Sequence, residues 1–239
     1  MTNKNKRDSS SQAASSGRLA SVTQKFAMAL SGLGLVGFVI VHLLGNLSLY
    51  RPDGTPFNTY ANALHQLGGL LIAAEIGLLL VVLLHIFTGL ALKKNHSAAR
   101  PQNYKMWRSK GGPTPSNFSS RTMIFSGLVL LIFIAVHVWQ FRFGASIDQG
   151  YATQIHGEEA RDLHRLVVET FKNPAWVGFY VFCMLLFGTH LRHGIWSAFQ
   201  SLGLVSGGAS RKLLSLSGLL GFILAVGFLF IPVYIYFFV

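Results

Sequence analysis

Cysteine is almost absent: the 239 residues hold one, Cys183, in an apolar run. A lone thiol excludes an intrachain disulfide framework, a cysteine-based zinc site and a protein-held iron–sulfur cluster. Any redox chemistry on this chain therefore needs another cofactor. Charge is scarce too, at 12% of residues against 51% hydrophobic, with a mean hydropathy of +0.46. A soluble domain needs about twice that charged fraction to cover its surface, so the main solvent is lipid. Acids are the scarcest charge, eight against twenty Lys and Arg, for a net charge of +12.

What is abundant is long uncharged stretches. They run over 26–50, 122–141, 173–191 and 213–239, and a fifth, 67–92, is broken only by Glu75. Each can span a hydrocarbon core of about 30 Å at about 1.5 Å per helical residue. The pattern predicts an all-α integral membrane protein in two parts. Residues 1–25, rich in Ser with scattered Lys and Arg, read as a disordered cytoplasmic tail, and 26–239 as a five-helix transmembrane domain. The apolar run after the tail is too long for the h-region of a signal peptide, so the tail is expected to be retained.

Charge placement orients the bundle. With the N-terminus cytoplasmic, the inner segments 1–25, 93–121 and 200–212 hold five, seven and two Lys or Arg, while the outer loops 51–66 and 142–172 hold one and four. Acids run the other way, Asp8 inside and six outside. The positive-inside bias predicts a multi-pass protein of the cytoplasmic membrane with its N-terminus in and C-terminus out. The net positive charge is then topology, and nucleic-acid binding is not needed to explain it. The outer loop 144–172 is long for a helix connection. Its second half, 158–171, spaces Leu163, Leu166, Val167 and Phe171 as an amphipathic helix on the outer interface would.

Ionisable side chains inside spans are functional hypotheses by default. Counted from the inner helix ends, His42 and His137 lie about 25 Å deep, His85 and His190 about 12 to 15 Å. Neutral imidazole is a good axial ligand for haem iron, and a bundle can clamp a porphyrin between histidines of facing helices. This predicts an outer haem on His42 and His137 and an inner haem on His85 and His190, about 10 to 13 Å apart in depth. Gly45, Gly89 and Gly194 follow three of these histidines by three or four residues, on the same helix face, where a macrocycle needs clearance. A single histidine in a span is more often a hydrogen-bonded packing residue, but four, paired by depth on four helices, are poorly explained that way. Depth alone leaves His193 open as an alternative to His190.

These residues carry a family resemblance. The stretches HLLGNLSLY at 42–50, FNTYANAL at 57–64, AEIGLLLVVLLHIFTGLAL at 74–92, ARPQNY at 99–104, DLHRLVVETFKNPAWVGFYV at 162–181 and HLRHGIWSAFQSLGL at 190–204 resemble the single-polypeptide, five-helix cytochrome b558 subunit of succinate:quinone oxidoreductases, the succinate dehydrogenases and fumarate reductases. The resemblance implies a membrane anchor with two b haems, bound to a flavoprotein subunit that carries the dicarboxylate site and an iron–sulfur subunit that relays electrons. It implies a membrane quinone as substrate, with menaquinone the expected species, although no residue dictates it. It also favours His190, the first histidine of HLRHG, over His193. The chain departs from the family pattern at His164, where an aromatic is expected.

On this reading electrons pass from the iron–sulfur subunit to the inner haem, then the outer haem, then quinone. The chain has no flavin-binding glycine fingerprint such as G-x-G-x-x-G between a strand and a helix, and its basic inner loop, 93–121, with Lys105, Arg108 and Lys110, is a candidate docking surface. Glu75, the only acid in a span, counts to the level of His42 and His137, on a face adjoining that of His85. Pointing into the bundle and held neutral there, it could exchange protons with quinone. Competing readings are the di-haem cytochrome b of a formate dehydrogenase or hydrogenase, and a proton-coupled transporter, which would show broken helices or internal repeats. Neither feature stands out in the sequence.

Overall fold

The computed structural model describes residues 2–98, 122–205 and 209–239, with side chains from 22, and without those of 96–98 and 209–210. In chain order its helices are α1 Thr2–Asn46, α2 Thr55–His65, α3 Gly69–Ala98, α4 Met123–Phe141, α5 Leu163–Phe171, α6 Pro174–Ser201 and α7 Ala209–Phe238. A hairpin of β1 Ala152–Ile155 and β2 Glu158–Arg161 lies between α4 and α5.

Among the described residues, five stretches are helical, long and apolar enough to cross a membrane: Val22–Tyr50, Gly69–Asn95, Met123–Phe141, Pro174–Ser201 and Arg211–Phe238. Helices satisfy every backbone group internally, which lipid requires. The protein is therefore an all-α, multi-pass membrane protein with one small hairpin. Leu70, Ile76, Leu80 and Phe87 of α3 stand clear of the rest of the protein, as side chains facing lipid do.

α1 packs against α3 and α6, α6 against α4 and α7. The α6–α7 contact is close because both faces are small: a β-carbon on Gly188 would lie 2.9 Å from that of Ala225. Backbones approach this way where apolar burial gives helices no reason to associate. Leu43, Leu191, Ile195, Leu224 and Ile235 fill the core.

One end of the bundle is capped by α2, the hairpin and α5. Asp162 caps α5 by accepting from the Arg165 amide at 3.0 Å. Asn58 of α2 donates to the same carboxylate at 2.8 Å and accepts from the His164 amide at 2.8 Å. Arg161 donates to the carbonyls of Phe141, Gly144 and Ala145 where α4 ends, taking up acceptors the helix cannot satisfy itself.

α1 runs from Thr2 through the first span; Ala, Gln, Lys and Arg before the span propagate a helix that the span nucleates. Two expectations differ. The amphipathic helix starts at Leu163, not 158, because 158–161 pairs with 152–155. Its turn is His156–Gly157, both with positive φ, 54° and 84°, the two-residue form that matches strand twist. The helix turns Val167 and Phe171 into the core. Finally, 55–65, read as loop, is α2, opened by left-handed Gly54 and Pro56. The docking residues Lys105, Arg108 and Lys110 lie outside the described residues.

Candidate functional site

The four histidines meet in two pairs across the bundle. His42 of α1 faces His137 of α4 with ring centres 5.8 Å apart, and His85 of α3 faces His190 of α6 at 6.4 Å. His193 has no ring contact or hydrogen bond among the described residues.

What surrounds each ring decides which nitrogen is free. Ser126 of α4 donates its hydroxyl proton to the Met123 carbonyl and sits 3.0 Å from His190 Nδ1. With the hydroxyl proton on that carbonyl the serine accepts from Nδ1–H and Nε2 keeps a lone pair; with it on Nδ1 the tautomer reverses. Ser31 of α1 repeats the arrangement: its hydroxyl goes to the Met28 carbonyl, and His85 Nδ1 lies 3.4 Å away. At the other level Tyr180 donates to Gln140 Oε1 at 2.7 Å, and its oxygen lies 3.4 Å from His137 Nδ1. Three of the four histidines thus have a hydroxyl oxygen beside Nδ1, an arrangement compatible with Nδ1–H and with Nε2 free for a metal. His42 differs. Asn46 Nδ2 lies 3.5 Å from both ring nitrogens while donating to the His42 carbonyl, and the ring is set by stacking on Phe38 and on Phe228 of α7. The fifth membrane-spanning helix, α7, therefore contributes to the site.

Two imidazoles on opposite sides of one metal, each nitrogen about 2 Å from it, put their ring centres about 6 Å apart, so both pairs fit an iron between them. Among the described residues no group of three or more His, Cys, Asp or Glu could hold a bare metal ion. Pairs suit haem, whose porphyrin supplies the other four donors. The levels are read off along α1, where Ser31 touches one pair and His42 belongs to the other, eleven residues or about 16 Å away. The same holds from Ser126 to His137 on α4. This exceeds the expected 10 to 13 Å, because that count took its inner helix ends as level.

Clearance comes mostly from other glycines than those expected. A β-carbon on Gly32 would lie 3.3 Å from His85 Cε1, and one on Gly127 3.5 Å from His190 Cε1. Gly194 does open on free space, but Gly89 packs on Met28, and a methyl on Gly45 would collide with the Tyr60 ring. Gly45 therefore serves the seating of α2, which the sequence had not revealed.

Glu75 also departs from expectation. Instead of facing the bundle as a neutral acid, it pairs with Arg142 just past α4, at 2.7 Å, with both side chains more than a third exposed. The cation at 142 faces the one point of α3 that carries an anion.

The missed serines and glycines do carry a sequence signal. Positions 28–42 and 123–137 match at eight of fifteen places, sharing Met, Ser, Gly, two Leu, Phe, Val and His. Four of the shared residues play the same part twice: Met carbonyl accepting from Ser, Ser beside another helix's histidine, Gly beneath it, and Phe38 or Phe133 stacked on its own histidine at 5.4 or 5.5 Å. Compared with family models, curated proteins and solved structures, the chain matches none.

Proposed function

We propose that this chain is the membrane-anchor cytochrome b subunit of a succinate:quinone oxidoreductase, holding one b haem between His85 and His190 and another between His42 and His137. The observation that carries the haem reading is the meeting of the four histidines in two pairs, 5.8 and 6.4 Å between ring centres, with a hydroxyl beside Nδ1 of three of them. Metal-ligating histidines donate their other ring N–H to a protein acceptor, and Ser31, Ser126 and Tyr180 stand where they can accept it. Ser126 does this for His190, which supports it over His193. The assignment to succinate chemistry rests on the sequence resemblance.

Bound haem supplies a one-electron iron couple. The chain's residues do the rest: four imidazoles hold and orient, two serines and a tyrosine set ring rotation, and Phe38, Phe133 and Phe228 exclude water from the capped-end pair. The positive-inside bias supports an uncapped end on the cytoplasmic side. There the flavoprotein and iron–sulfur subunits would deliver electrons, and quinone would exchange them near His42 and His137. A transporter is disfavoured because the four histidine-bearing helices run unbroken past their histidines, and the internal repeat, which the sequence reading had not picked out, repeats ligand support, not a helix break.

Affinity purification of the full chain from its native membrane tests the whole reading. Flavoprotein and iron–sulfur subunits should copurify, and succinate should reduce haem in the complex. A colourless chain, or one accompanied by a molybdenum or nickel enzyme, would contradict it.

A further inference from the structure

Arg192 is the only Lys or Arg that α6 carries within its span. It stands two residues past His190, about 200° round the helix, and so faces away from that histidine's ring and toward α7. A β-carbon on Gly221 would lie 3.1 Å from the Arg192 amide nitrogen and 3.5 Å from its α-carbon, and one on Gly218 would lie 3.7 Å from its Nε and 3.9 Å from its Cδ. The side chain therefore starts level with Gly221 and runs along α7 to Gly218, toward the uncapped end, over two positions where α7 has no side chain in its way. Arginines set inside a span lie like this when the stem stays in hydrocarbon and the head reaches for the interface.

Nothing at that end of the chain answers its charge. Seven of the eight acids lie at the capped end, Glu75 with Arg142 among them, and the eighth is Asp8. Arg142, Arg161 and Arg165 hold carboxylates or backbone carbonyls there. Arg192 is exposed, and among the described residues it has no hydrogen bond or ion pair. Arg211 and Lys212, also exposed, stand where α7 begins. Arg211 precedes Gly218 by two turns on the same helix face, about 10 Å along the axis. The span Arg211–Phe238, 28 residues, is about 42 Å long, which matches a bilayer with its headgroups, about 40 to 45 Å. Arg211 is then at headgroup level, with the Arg192 guanidinium about 10 Å deeper. A soluble partner docked on the uncapped end stops above that depth, whereas a lipid phosphate can be drawn down between the two arginines.

We infer that the groove between α6 and α7 at the uncapped end binds the phosphate of an anionic phospholipid, held between Arg192 and Arg211. Guanidinium suits the task because it offers phosphate two parallel N–H bonds. Lys212 adds to the positive potential, and three cations without an acid nearby favour a lipid of net negative charge over a zwitterionic one, whose ammonium they repel. Trp196, four residues nearer the end on the same face of α6, is of the residue type that settles at a membrane interface. The positive-inside bias supports the cytoplasmic leaflet as the source, where anionic lipids draw basic groups. The site holds its lipid whether or not the histidines carry haem.

Native mass spectrometry of the full chain, purified in detergent with whatever subunits accompany it and stripped of lipid, tests the site. The protein is titrated separately with phosphatidylglycerol, phosphatidylcholine and inorganic phosphate. Wild type should bind phosphatidylglycerol at least tenfold more tightly than phosphatidylcholine and take up no inorganic phosphate over the same range. Arg192→Gln and Arg211→Gln should each cut that preference roughly fivefold, and Arg192→Lys should cut it less. Arg211 is at a helix end, so its variant keeps the test valid if Arg192→Gln does not fold. Equal affinity for the two lipids in wild type, or an undiminished preference in every variant that stays monodisperse on gel filtration, would overturn the site. Inorganic phosphate bound as tightly as phosphatidylglycerol would overturn lipid as the ligand. An Arg192→Gln protein that keeps the lipid preference but sheds an accompanying subunit would give the arginine to that partner and overturn the inference as well.

Discussion

Ser126 sits 3.0 Å from His190 Nδ1, while Ser31 is 3.4 Å from its histidine. Ser126→Ala removes the hydroxyl beside His190 Nδ1 and lets the imidazole rotate. Loss of such a partner weakens metal binding about 10- to 100-fold. Transfer of haem to excess apomyoglobin should therefore speed up at least tenfold for one haem and stay unchanged for the other, with a smaller effect from Ser31→Ala. Equal retention of both haems in Ser126→Ala would show that the serine does not orient the ring. The histidines were legible in the sequence because an ionisable group in a span is costly. Their serines and glycines were not, since such residues are common in membrane helices for packing alone. His164 is a second residue-scale case. Its Nε2 is buried without a partner, and burial pushes its pKa below the ordinary value, with Asp162 and Asp53 pulling the other way. As pH falls through about 6.5 the unfolded chain takes up a proton that the folded one refuses. Stability drops over that range and levels off below the folded value. His164→Phe should remove that part of the acid sensitivity, read as a smaller fall in melting temperature between about pH 7.5 and pH 5 in detergent.

Among elements, the five spans were readable because length and charge-freedom are all a span requires. The capped end was not. Its strands are four residues each, its turn is His–Gly where Asn–Gly is the usual signal, and α2 depends on long-range contacts, Asn58 to Asp162 across 104 residues and Gly45 beneath Tyr60. Helical spacing at 163–171 was visible, but nothing in it marked 158–161 as a strand. The Glu75–Arg142 pair belongs to this scale, since it ties α3, which buries little against the protein, to the end of α4. Ion pairs this exposed are worth about 1 kcal/mol or less. Glu75→Gln should therefore leave haem content and quinone turnover near wild type and lower the melting temperature slightly. A sharp loss of turnover with succinate oxidation by an artificial acceptor intact would restore Glu75 as a proton carrier.

At the scale of the molecule, the repeat organises the site. α1 and α4 each carry a serine–glycine step that supports the histidine of another helix and, about 16 Å along, a histidine of their own. Two such halves, crossed, give two levels of paired histidines, and on the proposed function electrons moving between them would traverse the bundle. The most direct test is haem per chain, from pyridine haemochrome spectra and quantitative amino-acid analysis, in wild type and in alanine variants of His42, His85, His137, His190 and His193. The account predicts two haems in wild type and in His193→Ala, and the loss of the same haem within each pair for the other four. A wild type with one haem or none, or a His193 variant that loses one while His190→Ala keeps both, would contradict it.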